Sequence, residues 1–263
     1  MSNLLKAKSW VPEEKAAATA SDEQNDKIKK VRELLGSQMT AEMPSFLSDA
    51  TIRRFLRARN WSTEQATKAL KETVKWRRQY RPDTIRWEDI PGREHEARRT
   101  YIADYFDKNG RILVYNLEIF AMHSENMEDE CTVWLTDFQG WVLTNTPLPL
   151  LRECTHIIQN HYPGLISVAI LSNPPRIFES FWKIVCYFIE PKLKEKVKFV
   201  YTNNPESHKI VADMFDLDKL ESAFGGRNTL PFDMDKYAER MKRSDQMRGA
   251  PMHANGYSCS TQT

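Results

Sequence analysis

Apolar positions along this chain follow two rhythms, and the change between them near residue 90 divides it in two. From about residue 21 to residue 81 they recur three and four apart, the spacing of helices that bury one face. Ser21 with Gln24 forms a capping-box pattern ahead of "NDKIKKVRELL", which predicts a first helix ended by Gly36. "SDATIRRFLRARN" reads as a second helix with Ser48 at its cap. Ser62 with Gln65 caps a third, "TEQATKALKETVKWRRQY", which stops before Pro82. Three helices with short connections predict a small module over residues 21–90, behind a flexible tail at 1–20.

Beyond that point short runs rich in β-branched and aromatic residues take over. "TYIADYF" and "RILVYNL" flank "DKNG", where the Asn109-Gly110 step signals a hairpin. "TVWLTDF", "SVAILSN" and "VKFVYTN" predict three more strands. "PLLRECTHIIQNHY" predicts a helix between the first two of these, and an aromatic helix lies between the last two. Strands alternating with helices imply crossover connections and a mainly parallel sheet. "ESHKIVADMF" and "DLDKLESAFGG" predict further helix after the last strand. The expected architecture is α/β: a three-helix module, then a mixed, mainly parallel sheet flanked by helices over 91–243, and a polar tail at 244–263.

The aromatic helix, over residues 176–189, raises a question of its own. Pro174 and Pro175 suit its first turn, and Glu190-Pro191 ends it, because a residue before proline leaves the α region. Ile177, Phe178, Phe181, Trp182, Ile184, Val185, Phe188 and Ile189 fall together on an arc of roughly 160°, wider than the ~100° a surface helix buries. Such a face is either permanent core or a lid over something apolar.

Composition narrows the classes. The chain has 263 residues, 41% hydrophobic and 28% charged, a balance that can build a sizeable core. Its apolar runs are short, as in "VAIL", so no bilayer span is expected. "MSNLLKAKSW" lacks a signal-peptide core, which favours the cytoplasm. Cys131, Cys154, Cys186 and Cys259 are scattered with no C-x-x-C pair, and read as reduced thiols. Net charge is +2, yet residues 51–86 carry eleven Lys/Arg against three acids, a surplus of +8 that leaves −6 elsewhere. That segment suits a nucleic acid, an anionic membrane or a phosphorylated ligand, or simply a solvated helical face.

Catalytic patterns are missing. The sequence holds no G-x-G-x-x-G, no G-x-x-x-x-G-K-[ST], no G-x-S-x-G and no H-E-x-x-H. His156 and His161 stand five apart, which does not align two metal ligands on one helix face. Asp213, Asp216 and Asp218 lack the glycine and terminal glutamate of a calcium loop. Gly225-Gly226 follows an element rather than opening one, and reads as a helix C-terminus. No metal and no cofactor is indicated, and the chain is read as non-catalytic.

Four segments in order carry a resemblance: "FLRARNW" (55–61), "DFQG" (137–140), "YPGLISVAILSNPPRIFESFWKIVCYFIEPKLKEKVKFV" (162–200) and "LESAFGG" (220–226). Together they resemble CRAL-TRIO proteins of the phosphatidylinositol-transfer type, over roughly residues 25–243. The resemblance implies a sheet floor and helices around an apolar lipid pocket. It makes the helix 176–189 the gate, with Phe178, Phe181, Trp182, Val185 and Phe188 facing the pocket. It assigns the headgroup phosphate to Arg59 and Lys196, a planar fork and a point charge. The implied partners are a phospholipid, most of all phosphatidylinositol, and transiently an anionic membrane met by Lys192, Lys194, Lys196 and Lys198. The implied protein is a monomer, at work between cytoplasm and membrane surface and without nucleic acid.

The pattern is incomplete. Gly164 and Leu165 stand where the family has an acid and an arginine, and Leu193 where it has a hydroxyl. Of the hydroxyl positions linked to phosphatidylcholine, Thr132 is kept and Trp134 replaces another. The eleven residues 121–131 replace a longer helical excursion of the pocket wall, so the pocket is expected to be open on one side and to retain lipid poorly. Alternatives left standing are a regulatory or adaptor module that binds lipid without moving it, an enzyme for a small apolar substrate, and a nucleic-acid binder.

Overall fold

A computed structural model of the chain describes residues 13–89, 101–115, 132–143 and 147–249. The outer parts of both expected tails and the short segment 121–131 lie outside these residues. The chain forms two compact units, dividing after Lys71.

The first unit holds α1 (Glu13–Leu35), α2 (Ser37–Glu42), α3 (Asp49–Ala58) and the beginning of α4 (Thr63–Tyr80). The helix starts expected from Ser48 and Ser62 are present: each hydroxyl accepts a backbone N–H, from Thr51 and Gln65, at 3.3 Å. Gly36 breaks α1 from α2 with φ 86, a left-handed conformation that glycine adopts without cost. The apolar stripes of these helices meet in a core that includes Val31, Leu47, Ile52, Phe55 and Leu56, with Phe46 edge-on to Phe55. The first helix begins at Glu13, eight residues ahead of the capping box at Ser21. A propensity for helix in "EEKAAATA" outweighs that local cap.

The second unit is built on five strands: β1 (Tyr101–Phe106), β2 (Ile112–Tyr115), β3 (Thr132–Asp137), β4 (Ile166–Ser172) and β5 (Val197–Val200). They lie side by side in sequence order, with β1 antiparallel and the rest parallel. The β1–β2 hairpin turns at Asp107–Gly110, as "DKNG" predicts. Asp107 accepts the N–H groups of Asn109 and Arg111, and its buried carboxylate pairs with the Arg111 guanidinium at 2.7 Å.

Because the parallel strands step in one direction, right-handed crossovers put their helices on one face. Those helices are α5 (Leu148–His161), then α6 (Arg176–Val185) and the single turn α7 (Pro191–Lys194). The opposite face takes α8 (Pro205–Met214), where Val211 and Phe215 pack on Leu113, Val133, Leu135, Val168, Ile170 and Val200. Alternation along each strand sorts the side chains: Val168 and Ile170 go to α8, Ala169 and Leu171 to α5 and α6. The sheet is therefore buried on both sides.

Two readings are corrected here. "DLDKLESAFGG" is not a helix but a chain of turns with one 3-10 turn, Ser222–Phe224, ended by Gly225 in the left-handed region. Asp216 accepts the N–H of Asp218 through its side chain, a local bond that competes with helix formation. Gly226 is required by contact, since a Cβ there would sit 1.9 Å from the Leu220 carbonyl oxygen. The last helix, α9 (Met234–Gly249), runs past the expected boundary at 244. Tyr237 and Met241 bury its inner face against Ile102 and Trp87, and Asp245, a turn further on, accepts the Trp87 N–H.

Candidate functional site

The crossover face of the sheet carries the candidate site. Its floor under α6 is Leu171 of β4 and Phe199 of β5; Phe138 and Trp141, from the loop after β3, close one flank, and Leu151 of α5 joins them. Onto this floor α6 lowers Phe178, Phe181 and Val185, all buried. Phe178 sits at the centre, with ring centroids at 4.4 Å from Phe138, 5.4 Å from Trp141, 5.7 Å from Phe181 and 6.1 Å from Phe199. Trp182 lies edge-on to Phe199 at 5.6 Å. These offset and edge-to-face geometries are the favourable ones for aromatic pairs.

The wide apolar arc of this helix does not all go inward. Ile177 is 60% exposed and Ile184 47%, while Trp182 is half-buried. A helix lying on a sheet covers only a stripe of its own surface, so the edges of the arc face outward. The helix also ends at Val185, short of the expected 189. Glu190 is extended ahead of Pro191, and the residues between tighten into turns, Tyr187 N–H to Ile184 O and Phe188 N–H to Val185 O. Those turns fold Phe188 and Ile189 back against the ring cluster, and leave Tyr187 90% exposed.

No side chain of α6 makes a hydrogen bond or ion pair with another described residue, whereas both of its ends are pinned by amides. At the start, Asn173 adopts φ 51, a left-handed conformation that asparagine tolerates better than most residues. Its Oδ1 accepts the N–H of Thr202 at 2.9 Å and the hydroxyl at 3.1 Å, and its own N–H donates to Val200 O. At the other end Gln159 of α5 reaches across. Its Nε2 donates to Phe188 O at 3.2 Å, and its Oε1 accepts the N–H of Glu190 at 2.5 Å.

Beside α6, α5 packs Ile158 and Tyr162 onto Val114, Trp134 and Ile166. Trp134, at a position where the family pattern has a hydroxyl, is buried in this cluster, and Thr132 spends its hydroxyl on the Leu165 carbonyl at 2.8 Å. His161 is buried too, its ring stacked on Trp76 at 4.2 Å and its Nδ1 3.0 Å from the Thr73 hydroxyl. Burial, helped by the nearby His156 and Arg77 charges, pushes its pKa down to about 4, so the ring is neutral at pH 7.

The gate residues of the sequence reading, Phe178, Phe181, Trp182, Val185 and Phe188, come together in one cluster. The headgroup residues belong to different units. Arg59 caps α3 in the first, half-buried, with its N–H bonded to Phe55 O and Leu56 O. Lys196 lies just before β5 in the second, its Nζ donating to Ile166 O at 2.6 Å. Lys192, Lys194 and Lys198 are exposed. Sequence reasoning missed Phe138, Trp141 and Phe199 as packing partners of α6, although "DFQGW" and "VKFV" display them. It also missed Gln159, for which the sequence gives no signal.

Among the described residues no cluster of His, Cys, Asp and Glu could hold a metal ion, and no helix is long and apolar enough to cross a membrane.

Comparison with known proteins adds a second line of evidence. The family model of the CRAL/TRIO domain matches residues 55–226. The phosphatidylinositol transfer protein PDR17 of Saccharomyces cerevisiae is 25% identical over 238 residues, 77% of this chain and 65% of that protein. A CRAL-TRIO domain-containing protein of Schizosaccharomyces pombe is 26% identical over 217 residues, 73% of this chain and 20% of its own length. The SEC14 cytosolic factor of Kluyveromyces lactis is 26% identical over 246 residues, with 78% and 79% covered. This chain thus spans less than two thirds of the first of these relatives and a fifth of the second. The crystal structure of Sfh5 shares the fold, with a TM-score of 0.59 at 12% identity over 86% of this chain and 98% of that one.

Proposed function

This chain belongs to the CRAL/TRIO domain family, and we propose that it binds a phospholipid beneath α6 and exchanges it between membranes, with phosphatidylinositol the leading ligand and no covalent chemistry. The observation that carries this reading is the lid itself: an aromatic helix seated on the sheet by apolar contacts, most of them between rings, with amide hydrogen bonds at its two ends. Ring contacts are non-directional, so an acyl chain can replace them without leaving a polar group unpaired.

A lid answers a definite energetic need. Each lipid CH₂ taken from water is worth about 0.8 kcal/mol, so one long acyl chain represents on the order of 10 kcal/mol. A closed lid spares the chain that exposure in the cytoplasm. At a membrane, the outward Ile177 and Ile184 supply apolar contact, and the exposed Lys183, Lys192 and Lys194 add about 1 kcal/mol each at an anionic surface. The resemblance gives Arg59 and Lys196 the headgroup phosphate, each a cation suited to that charge. In this reading the protein acts as a monomer that visits membranes peripherally.

The test is transfer of radiolabelled phosphatidylinositol from donor to acceptor vesicles. Wild type is expected to move it, and an Arg59→Ala, Lys196→Ala double variant to lose phosphatidylinositol transfer while remaining folded. Binding without any transfer would replace exchange by a regulatory or adaptor role. Equal transfer by the double variant would reject the two cations as headgroup ligands.

A further inference from the structure

We propose that Gln159 is the catch of the lid, the side chain that sets how readily α6 lets go. The inference rests on the lid reading above and adds a positioning residue to it.

The two ends of α6 are not held alike. The start is tied into the sheet: Asn173 donates its N–H to Val200 O at 2.8 Å and accepts twice from Thr202. Three bonds to the end of β5 make this end a fixed pivot. The far end, residues 186–190, is a string of single turns between α6 and α7. Here the Gln159 side chain of α5 offers both a donor and an acceptor to the backbone of Phe188 and Glu190. A glutamine can let go of both by changing rotamer, with no change in backbone conformation.

The bond to the Glu190 N–H is also at the exposed surface, so water can take the place of the Gln159 carbonyl when it leaves. Releasing the catch frees the Cys186–Glu190 turns to change shape. The helix then rises from the rings of Phe138, Trp141 and Phe199 about the Asn173 pivot. Pro191 limits the movement, since its fixed φ keeps the start of α7 in place.

Hydrogen–deuterium exchange on the intact chain without lipid tests this directly. In Gln159→Met, which keeps length and bulk and removes both bonds, amides of 176–190 are expected to exchange at least about tenfold faster. Amides of α5 itself, and of β4 and β5, are expected to keep their wild-type rates. Gln159→Asn, whose amide is one methylene too short to reach, is expected to behave like Gln159→Met. Unchanged exchange at 176–190 in both variants would overturn the proposal. So would acceleration spread through α5, which marks a packing residue instead of a catch. A pyrene-acyl phosphatidylinositol preloaded into the protein should leave for phosphatidylcholine vesicles faster in the variants by a similar factor. Where wild type takes up none of this probe, the lipid reading fails and the exchange result still decides the catch.

Discussion

Of the helices that cover the sheet of the second unit, α6 lies over a face and α9 over an edge, and the chemistry that holds these two is opposite. At the edge, β1 would present unpaired backbone groups to solvent. There Tyr237 of α9 accepts the Ile102 N–H at 3.2 Å and Arg240 donates to the Ile102 carbonyl, so two side chains stand in for a missing strand. Asp245 accepts the Trp87 N–H at 2.6 Å, and the Trp87 and Tyr237 rings meet edge-on at 5.4 Å. Over the face, α6 packs through rings and aliphatic side chains, and none of its side chains makes such a bond with another described residue. Hydrogen bonds to backbone fix a register and penalise every intermediate position, whereas ring contacts allow graded departure. On the proposed lid reading, this difference separates a helix that stays from one that leaves.

Removing the central ring of the lid should do most damage. Phe178→Ala takes away five ring contacts and leaves a cavity, with an expected loss of about 3–5 kcal/mol in urea unfolding. A loss under 1 kcal/mol would mean that the lid adds little to the closed fold.

Next comes a pH effect from the wall beside the lid. The folded pKa of His161, about 4, lies below its unfolded value of about 6.5. The unfolded chain therefore takes up a proton first as pH falls. Stability is full above about pH 6.5, declines from there to pH 4, and has lost up to about 3 kcal/mol at the lower end. His161→Gln should flatten that part of a stability–pH curve, and an unchanged slope would place the acid sensitivity elsewhere.

Tyr237→Phe removes the acceptor for the buried Ile102 N–H, and should cost about 1–2 kcal/mol of stability. Lipid exchange should be unchanged, which sets the edge helix apart from the lid. The smallest effect on stability belongs to Ile177→Ser with Ile184→Ser, within about 0.5 kcal/mol because both side chains face outward. The same pair should weaken co-sedimentation with anionic vesicles about tenfold, as lost apolar contact at a membrane surface requires.

Much of this molecule is legible in its sequence. Ser48 and Ser62 mark helix starts because a hydroxyl at that position satisfies an otherwise unpaired N–H. Asn109-Gly110 marks the hairpin because the turn places Gly110 at φ 73. The period of apolar residues separated helices from strands along most of the chain. What escaped was tertiary in origin. The spacing of Ile177 and Ile184 matches that of the buried residues, and only the breadth of the sheet floor decides which of them is covered. Gln159 looks like any polar position on a helix until the turn at 188–190 folds back against it. "DLDKLESAFGG" has helical spacing, but Asp216 and the close approach of Gly226 to Leu220 bend it into turns.

The most direct test of the lid reading is native mass spectrometry of the protein after incubation with vesicles containing phosphatidylinositol, with the bound material extracted and identified. A single phospholipid per chain, with phosphatidylinositol enriched over its share in the vesicles, is the predicted result. Protein that stays empty under these conditions, with α6 as protected from hydrogen exchange as before, would contradict the account and make the aromatic cluster plain core.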